Sequence, residues 1–79
     1  MERKLKNVTL QQLEGLLLLV ENRSFSKAAE KMFMTQPSLS KAIRDLEELL
    51  GLPLFERTTR QVRLTAGGAQ LASVARTVA

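Results

Sequence analysis

One stretch of this 79-residue chain carries its own start signal, period and stop, and it limits the folds open to the rest. Thr35 has a side chain suited to capping a helix. Pro37 suits the first turn that follows, where its missing N–H has no intrahelical partner to lose. Leu39, Ala42, Ile43, Leu46, Leu49 and Leu50 then cluster on one side at helical spacing. Gly51 can take the left-handed conformation that closes a helix, and Pro53 keeps it from resuming. The pattern predicts a helix from the Thr35 cap to Leu50, anchored to a core by one side. The other side is left for a ligand.

That outer side is divided by charge. Its first turns offer Gln36, Pro37, Ser40, Lys41 and Arg44, polar or basic apart from the proline, and its last turns offer Asp45, Glu47 and Glu48. The helix dipole favours acids early and bases late, so helix stability does not account for this order. Insertion of the first half among phosphates does, because basic side chains and unpaired backbone donors are stabilised there and carboxylates are repelled. Gln36 has the amide to pair bidentately with adenine, Lys41 and Arg44 the reach for guanine or phosphate, and Pro37 an apolar contact for a thymine methyl. The competing reading is a solvated face on which the two signs happen to be separated.

Upstream, Thr9 with Gln12 has the form of a capping box, and a helix from Leu10 to about Asn22 follows. Leu10, Leu13, Leu17 and Val20 form one stripe, widened by Leu16, whereas Leu18 and Leu19 fall outside it. Those two are either partly exposed leucines or part of a partner surface. Ser26 is expected to cap a short helix over residues 27–33, in which Ala28 and Ala29 allow another helix to approach closely. Phe25, Phe33 and Phe55 are read as core rather than stacking platforms, which argues against single-stranded nucleic acid as a ligand.

Beyond Pro53 the period becomes roughly alternating. Leu54-Phe55-Glu56-Arg57, a turn at Thr58-Thr59-Arg60, and Gln61-Val62-Arg63-Leu64 predict two short antiparallel strands, a β-wing. Arg60 at its tip is suited to a narrow minor groove and Arg57 and Arg63 to phosphates, although arginines on a hairpin also serve simply to guard a sheet edge. Thr65 then caps a fourth helix with Leu71, Val74, Ala75 and Val78 on one face. No helix-ending signal precedes Ala79, so the chain is read as part of a longer protein.

Composition narrows the function classes. At this length one hydrophobic core supplies only about 3 to 5 kcal/mol, so a single domain that gains from self-association is expected. With no Cys and no His there is neither a disulfide framework nor a thiolate or imidazole metal site, and a reducing, cytoplasmic setting fits. The charged start has no signal-peptide form, and the longest apolar run, residues 16–20, falls well short of the ~20 residues a membrane helix needs. The net charge of +4 attracts polyanions. With no His, Cys, Tyr or Trp and no Gly-rich phosphate loop, the residues for an enzyme are missing, and no cofactor is expected.

Four motifs at fixed spacing then carry a resemblance: Ser24-Phe25-Ser26-Lys27-Ala28-Ala29-Glu30, Thr35-Gln36-Pro37-Ser38-Leu39-Ser40-Lys41, Leu46-Glu47-Glu48-Leu49-Leu50-Gly51 and Leu54-Phe55-Glu56-Arg57. From about residue 10 to residue 68 the chain resembles the N-terminal domain of LysR-type transcriptional regulators. The resemblance implies an all-α fold with a small β-wing: a winged helix-turn-helix over residues 1–65, followed by the start of a linker helix over residues 66–79. It implies pairing of two chains through that helix, so that two reading helices meet successive major grooves of an imperfectly palindromic operator. Carried over by position, Gln36, Pro37, Ser38, Ser40 and Lys41 face the groove, Arg60 is the wing tip, and Thr35, Arg57 and Thr65 contact phosphates. Ser26, Arg44 and Arg63 join this set on their own chemistry, and Leu18, Leu19, Leu71, Val74 and Val78 make up the expected dimer surface. A C-terminal domain of the family, absent from this sequence, binds a small-molecule inducer.

Two positions depart from the family pattern. Lys41 stands where arginine is common and lacks its planar fork for guanine. Gly67 stands where alanine is usual, beside Gly68, and glycine costs a helix interior roughly 1 kcal/mol, so a loose start to the last helix is expected. The rival to DNA binding is a winged helix used as a protein-interaction module, with Leu18, Leu19 and the fourth helix as the contact and the basic face incidental.

Overall fold

The computed structural model describes residues 7–56 and 62–78. These hold four helices in order, α1 (Leu10–Asn22), α2 (Phe25–Lys31), α3 (Gln36–Leu50) and α4 (Ala66–Val78). Helix α1 starts at the expected capping box: the Thr9 N–H donates to Gln12 Oε1 at 3.0 Å, and the Gln12 N–H donates to Thr9 Oγ1 at 3.1 Å. It lies at the centre, with α2, α3 and α4 all packed against it. A helix covered on three sides needs apolar residues over most of its circumference, which is why the run at residues 16–20 is so dense. Leu16 and Leu19 have no exposed surface, while Leu13, Leu17, Leu18 and Val20 pack around them half-buried. The expected stripe was therefore off-centre: Leu10 at its start is 55 % exposed, and Leu19, assigned to a dimer surface, is inside the domain's own core.

Helix α2 begins earlier than its predicted cap. Ser24, in extended conformation, accepts the Lys27 N–H at 3.2 Å, and Ser26 lies within the first turn. The helix closes with two bonds of a Schellman motif, Phe33 N–H to the Glu30 carbonyl at 3.1 Å and Met34 N–H to the Ala29 carbonyl at 3.0 Å. That geometry puts Phe33 in the left-handed region at φ 55° and leaves it 96 % exposed, overturning its assignment to the core. The other two phenylalanines join the core as expected, Phe55 buried and Phe25 half-buried against it, with ring centroids 6.2 Å apart.

Helix α3 follows the sequence closely. Thr35 caps it, Pro37 sits in its first turn, and Gly51 ends it at φ 71°. Leu39, Ile43 and Leu46 are fully buried in the core. In the segment that follows, Leu54 and Phe55 are buried, and Phe55 pairs with Leu64 in an antiparallel bridge reinforced by the Glu56 N–H on the Arg63 carbonyl at 3.0 Å. Among the described residues, this bridge is what is seen of the two strands expected. The turn expected at Thr58-Thr59-Arg60, with Arg57 and Gln61, lies outside the described residues.

Thr65 ties the wing to α4. Its hydroxyl donates to the Pro53 carbonyl at 2.6 Å and accepts the Gly68 N–H at 3.0 Å. A Cβ on Gly68 would sit 2.1 Å from the Leu54 carbonyl oxygen, so this glycine is what lets α4 rest on the chain leaving α3. The glycines were expected to loosen the helix start; one of them permits its closest contact. The inner face of α4 is Leu71, Ala72 and Ala75, with Val74 turned outward and 49 % exposed rather than grouped with Leu71. Leu71, only 8 % exposed, belongs to the core and not to an open dimer surface. The Val78 side chain lies outside the described residues. No helix among the described residues is long and apolar enough to cross a membrane.

Candidate nucleic-acid interface

The first turns of α2 and α3 converge. The Ser26 hydroxyl donates to Gln36 Oε1 at 2.9 Å, joining one residue into the first helix of the pair to the opening residue of the second. Next to it, Thr35 Oγ1 accepts the Ser38 N–H at 3.3 Å and donates its own proton to Ser38 Oγ at 2.7 Å. Thr35 thus has its donor spent within the cap, and the hydroxyl proton left to point outward belongs to Ser38. Gln36, Pro37 and Ser38 are all exposed, and Ser40 is half-buried. Pro37 contributes no N–H and the Ser38 N–H is capped, so anion attraction at this helix end comes from its dipole and side chains more than from a cradle of amides.

One and two turns further along, Lys41 and Arg44 are both exposed. Lys41 is not unopposed: its ammonium lies 2.8 Å from Asp45 Oδ2, one turn below. The hydrogen bond and the charge of Asp45, with a smaller contribution from Glu48, hold the Lys41 pKa above its ordinary value. The acids of α3 were expected to stand clear of the contact. Asp45 is paired with Lys41, because i, i+4 spacing puts it beside the lysine.

Glu47 also departs from the outer acidic face. Its Oε2 accepts the backbone N–H of Leu54 at 2.7 Å and of Phe55 at 3.3 Å, securing the entry to the wing. A sequence signal for this exists: after a Gly-x-Pro break the next amides enter the core and need an acceptor, and a carboxylate on the last turn of the preceding helix is the nearest one. Of the wing residues, Arg63 is exposed on the described part, while Arg57 and Arg60 lie outside the described residues. Thr65 is half-buried with its hydroxyl proton committed to Pro53, which makes it a staple of the fold before it is anything else.

A short capped helix, a tight turn and a second helix whose polar opening turns stand exposed, followed by an antiparallel bridge, have the arrangement of a winged helix-turn-helix domain. The sequence matches the family described as "Bacterial regulatory helix-turn-helix protein, lysR family" over residues 10–69. It is 45 % identical over 71 residues to the DNA-binding transcriptional dual regulator OxyR of Escherichia coli, covering 90 % of this chain and 23 % of that protein. It is 41 % identical over 64 residues to the HTH-type transcriptional activator CmpR of Synechocystis, covering 81 % of this chain and 21 % of that protein. Among solved structures, Vibrio fischeri DarR in complex with DNA superposes with a TM-score of 0.87 at 39 % identity, over 91 % of this chain and 25 % of that one. The BenM DNA-binding domain on its benA site 1 DNA superposes with a TM-score of 0.85 at 40 % identity, over 89 % of this chain and 79 % of that one.

The chain belongs to the LysR family of bacterial regulators, as its helix-turn-helix DNA-binding domain, and it is not an enzyme. It spans roughly a quarter or less of the length of the full-length curated relatives it matches.

Proposed function

We propose that this domain binds double-stranded operator or promoter DNA sequence-specifically, with the opening turns of α3 in the major groove and the wing in the adjacent minor groove. The observation that carries the reading is the contrast across α3. Leu39, Ile43 and Leu46 are sealed in the core, while Gln36, Pro37, Ser38, Lys41 and Arg44 all remain exposed on a chain of net charge +4. In this reading Gln36 and Pro37 meet base edges, Ser38 and Ser40 add hydroxyls, and Lys41 and Arg44 reach phosphate or guanine. Arg60 enters the minor groove, and Arg57 and Arg63 hold the phosphates beside it.

Two copies pair through α4, using Val74 with Val78 and the half-buried Leu18, so that two reading helices fall about 34 Å apart on an imperfect palindrome. Residues 1–65 form the binding domain and residues 66–79 the start of the linker helix. The whole protein acts in the cytoplasm and takes its small-molecule inducer on a further, C-terminal domain. A protein-interaction module built on Leu18, Leu19 and α4 is less well supported, since Leu19 and Leu71 are already covered within the domain.

The test is binding to duplexes selected from a random library, measured against salt. Each phosphate neutralised contributes about −0.9 to the slope of log affinity against log salt, so a steep fall is expected. Gln36→Ala is expected to cost about 1 to 3 kcal/mol on the selected site and little on random DNA. Equal losses on both would remove Gln36 from the base-reading set, and weak binding at every salt concentration would leave the protein-interaction reading in its place.

A further inference from the structure

We infer that Ser26 is a positioning residue for base recognition: its hydroxyl fixes which end of the Gln36 carboxamide faces the DNA. The inference rests on Gln36 reading bases, and it assigns the partner helix a part in specificity that α3 alone does not carry. Ser26 was first expected to be a helix cap, yet that role is filled by Ser24, which accepts the Lys27 N–H. The Ser26 hydroxyl is instead directed across to α3 and donates to Gln36 Oε1 at 2.9 Å.

A glutamine amide offers one acceptor oxygen and two N–H donors, and an exposed one rotates among orientations of similar energy. The Ser26 bond biases that choice toward one orientation. It holds Oε1 toward α2, which sends both Nε2 hydrogens outward and leaves one lone pair of Oε1 at the edge. The matching base edge is a purine. Nε2 donates to N7 of adenine or guanine, and the remaining lone pair then favours adenine through its N6–H donor. Cytosine presents no acceptor to that donor, and thymine presents O4 alone, with no N–H for the remaining Oε1 lone pair. Closing the protein onto DNA removes water from around the Ser26–Gln36 bond and strengthens it at the moment of reading. A phosphate contact by Ser26 would need the same proton, and the geometry commits it to Gln36.

Because neither partner caps a helix with its side chain, the bond can be removed without weakening the helices. Ser26→Ala keeps the Ser24 cap and places a better helix former in the first turn of α2, so the variant is expected to fold with unchanged melting temperature. The experiment compares wild type, Ser26→Ala, Ser26→Thr, Gln36→Ala and the double variant in this chain. Each is titrated with the duplex selected by wild type and with duplexes carrying all four base pairs at the position whose preference Gln36→Ala abolishes. In Ser26→Ala the purine preference there is expected to fall at least threefold, with the salt slope unchanged. The double variant is expected to match Gln36→Ala alone, and Ser26→Thr, which keeps the hydroxyl, to restore the preference.

A uniform loss on every duplex with a shallower salt slope would make Ser26 a phosphate contact and overturn the inference, as would an unchanged preference in Ser26→Ala. If Gln36→Ala alters no base preference at all, the failure lies one step earlier, in the base-reading role of Gln36, and is seen in that single variant.

Discussion

The carboxylate of Glu47 on α3 accepts the backbone N–H of Leu54 at 2.7 Å, so this side chain fastens α3 to the segment that follows it. Leu54 has no exposed surface, and Glu47, half-buried, is the acceptor for its N–H. Glu47→Ala is expected to destabilise the domain by about 1 to 3 kcal/mol, the range for a buried donor left unsatisfied. Glu47→Gln keeps an acceptor oxygen and is expected to lose less. Chemical denaturation of the two variants checks both, and equal losses would mean that the charge matters more than the acceptor.

Phe33 places a large apolar side chain at the left-handed position that ends α2, a site where glycine or asparagine is at home. Since it is 96 % exposed, almost no packing is lost on replacing it. A non-glycine residue in this conformation costs about 1 to 2 kcal/mol. Phe33→Gly is therefore expected to be neutral or to raise the melting temperature by a few degrees, with Phe33→Asn close behind. A clear fall in stability would show that the ring has a packing role.

These residues show how far the sequence could be read. The bounds of α1 and α3 were legible because caps, period and stop signals agreed locally: Thr9 with Gln12, Thr35 with Pro37, Gly51 with Pro53. The centre of α1 was not, because a stripe read from one helix assumes one neighbour, and α1 has three. That is why Leu19 was assigned to a partner when its own domain covers it. Phe33 was misplaced for a different reason. Hydrophobicity argued for burial, whereas the turn geometry that decided its exposure is set by the Phe33 and Met34 N–H groups donating to the Glu30 and Ala29 carbonyls. In the candidate site the residue types were legible and their bonds were not. Nothing in the spacing of Ser26 and Gln36, ten residues apart, announces a hydrogen bond that depends on how two helices cross.

The paired glycines at the start of α4 are expected to behave differently. A Cβ on Gly68 would lie 2.1 Å from the Leu54 carbonyl oxygen, which is backbone and cannot move without opening the joint between wing and helix. Gly68→Ala is expected to cost about 1 to 3 kcal/mol, as overpacking does. At Gly67 the obstacle, 2.6 Å away, is the end of the Leu52 side chain, which can rotate aside. Gly67→Ala gains about 1 kcal/mol of helix propensity and is expected to come out near neutral. Parallel thermal melts separate the two, and similar losses would mean that Leu52 is as fixed as the backbone.

In the proposed complex, Asp45 competes with DNA for Lys41. The ion pair at 2.8 Å is exposed, so it is readily broken, but each encounter with a phosphate must first draw the ammonium away from the carboxylate. Asp45→Asn is expected to raise affinity several-fold at low salt, on selected and random duplexes alike, and to steepen the salt slope by up to about 0.9. No gain would mean that Lys41 stays out of reach of DNA. The same pair fixes the expected pH response. Asp45 raises the Lys41 pKa above the ordinary 10.5, and for a raised lysine the charged form is complete below that value and is lost only as pH climbs through the higher one. The chain has no histidine, whose side chain would ordinarily change charge between about pH 5 and 8. Affinity at constant salt is expected to stay level from about pH 6 to 9 apart from any contribution of the α-amino group, whose ordinary pKa is about 8, and a larger step inside that window would require an ionisable group shifted by contact with the DNA itself.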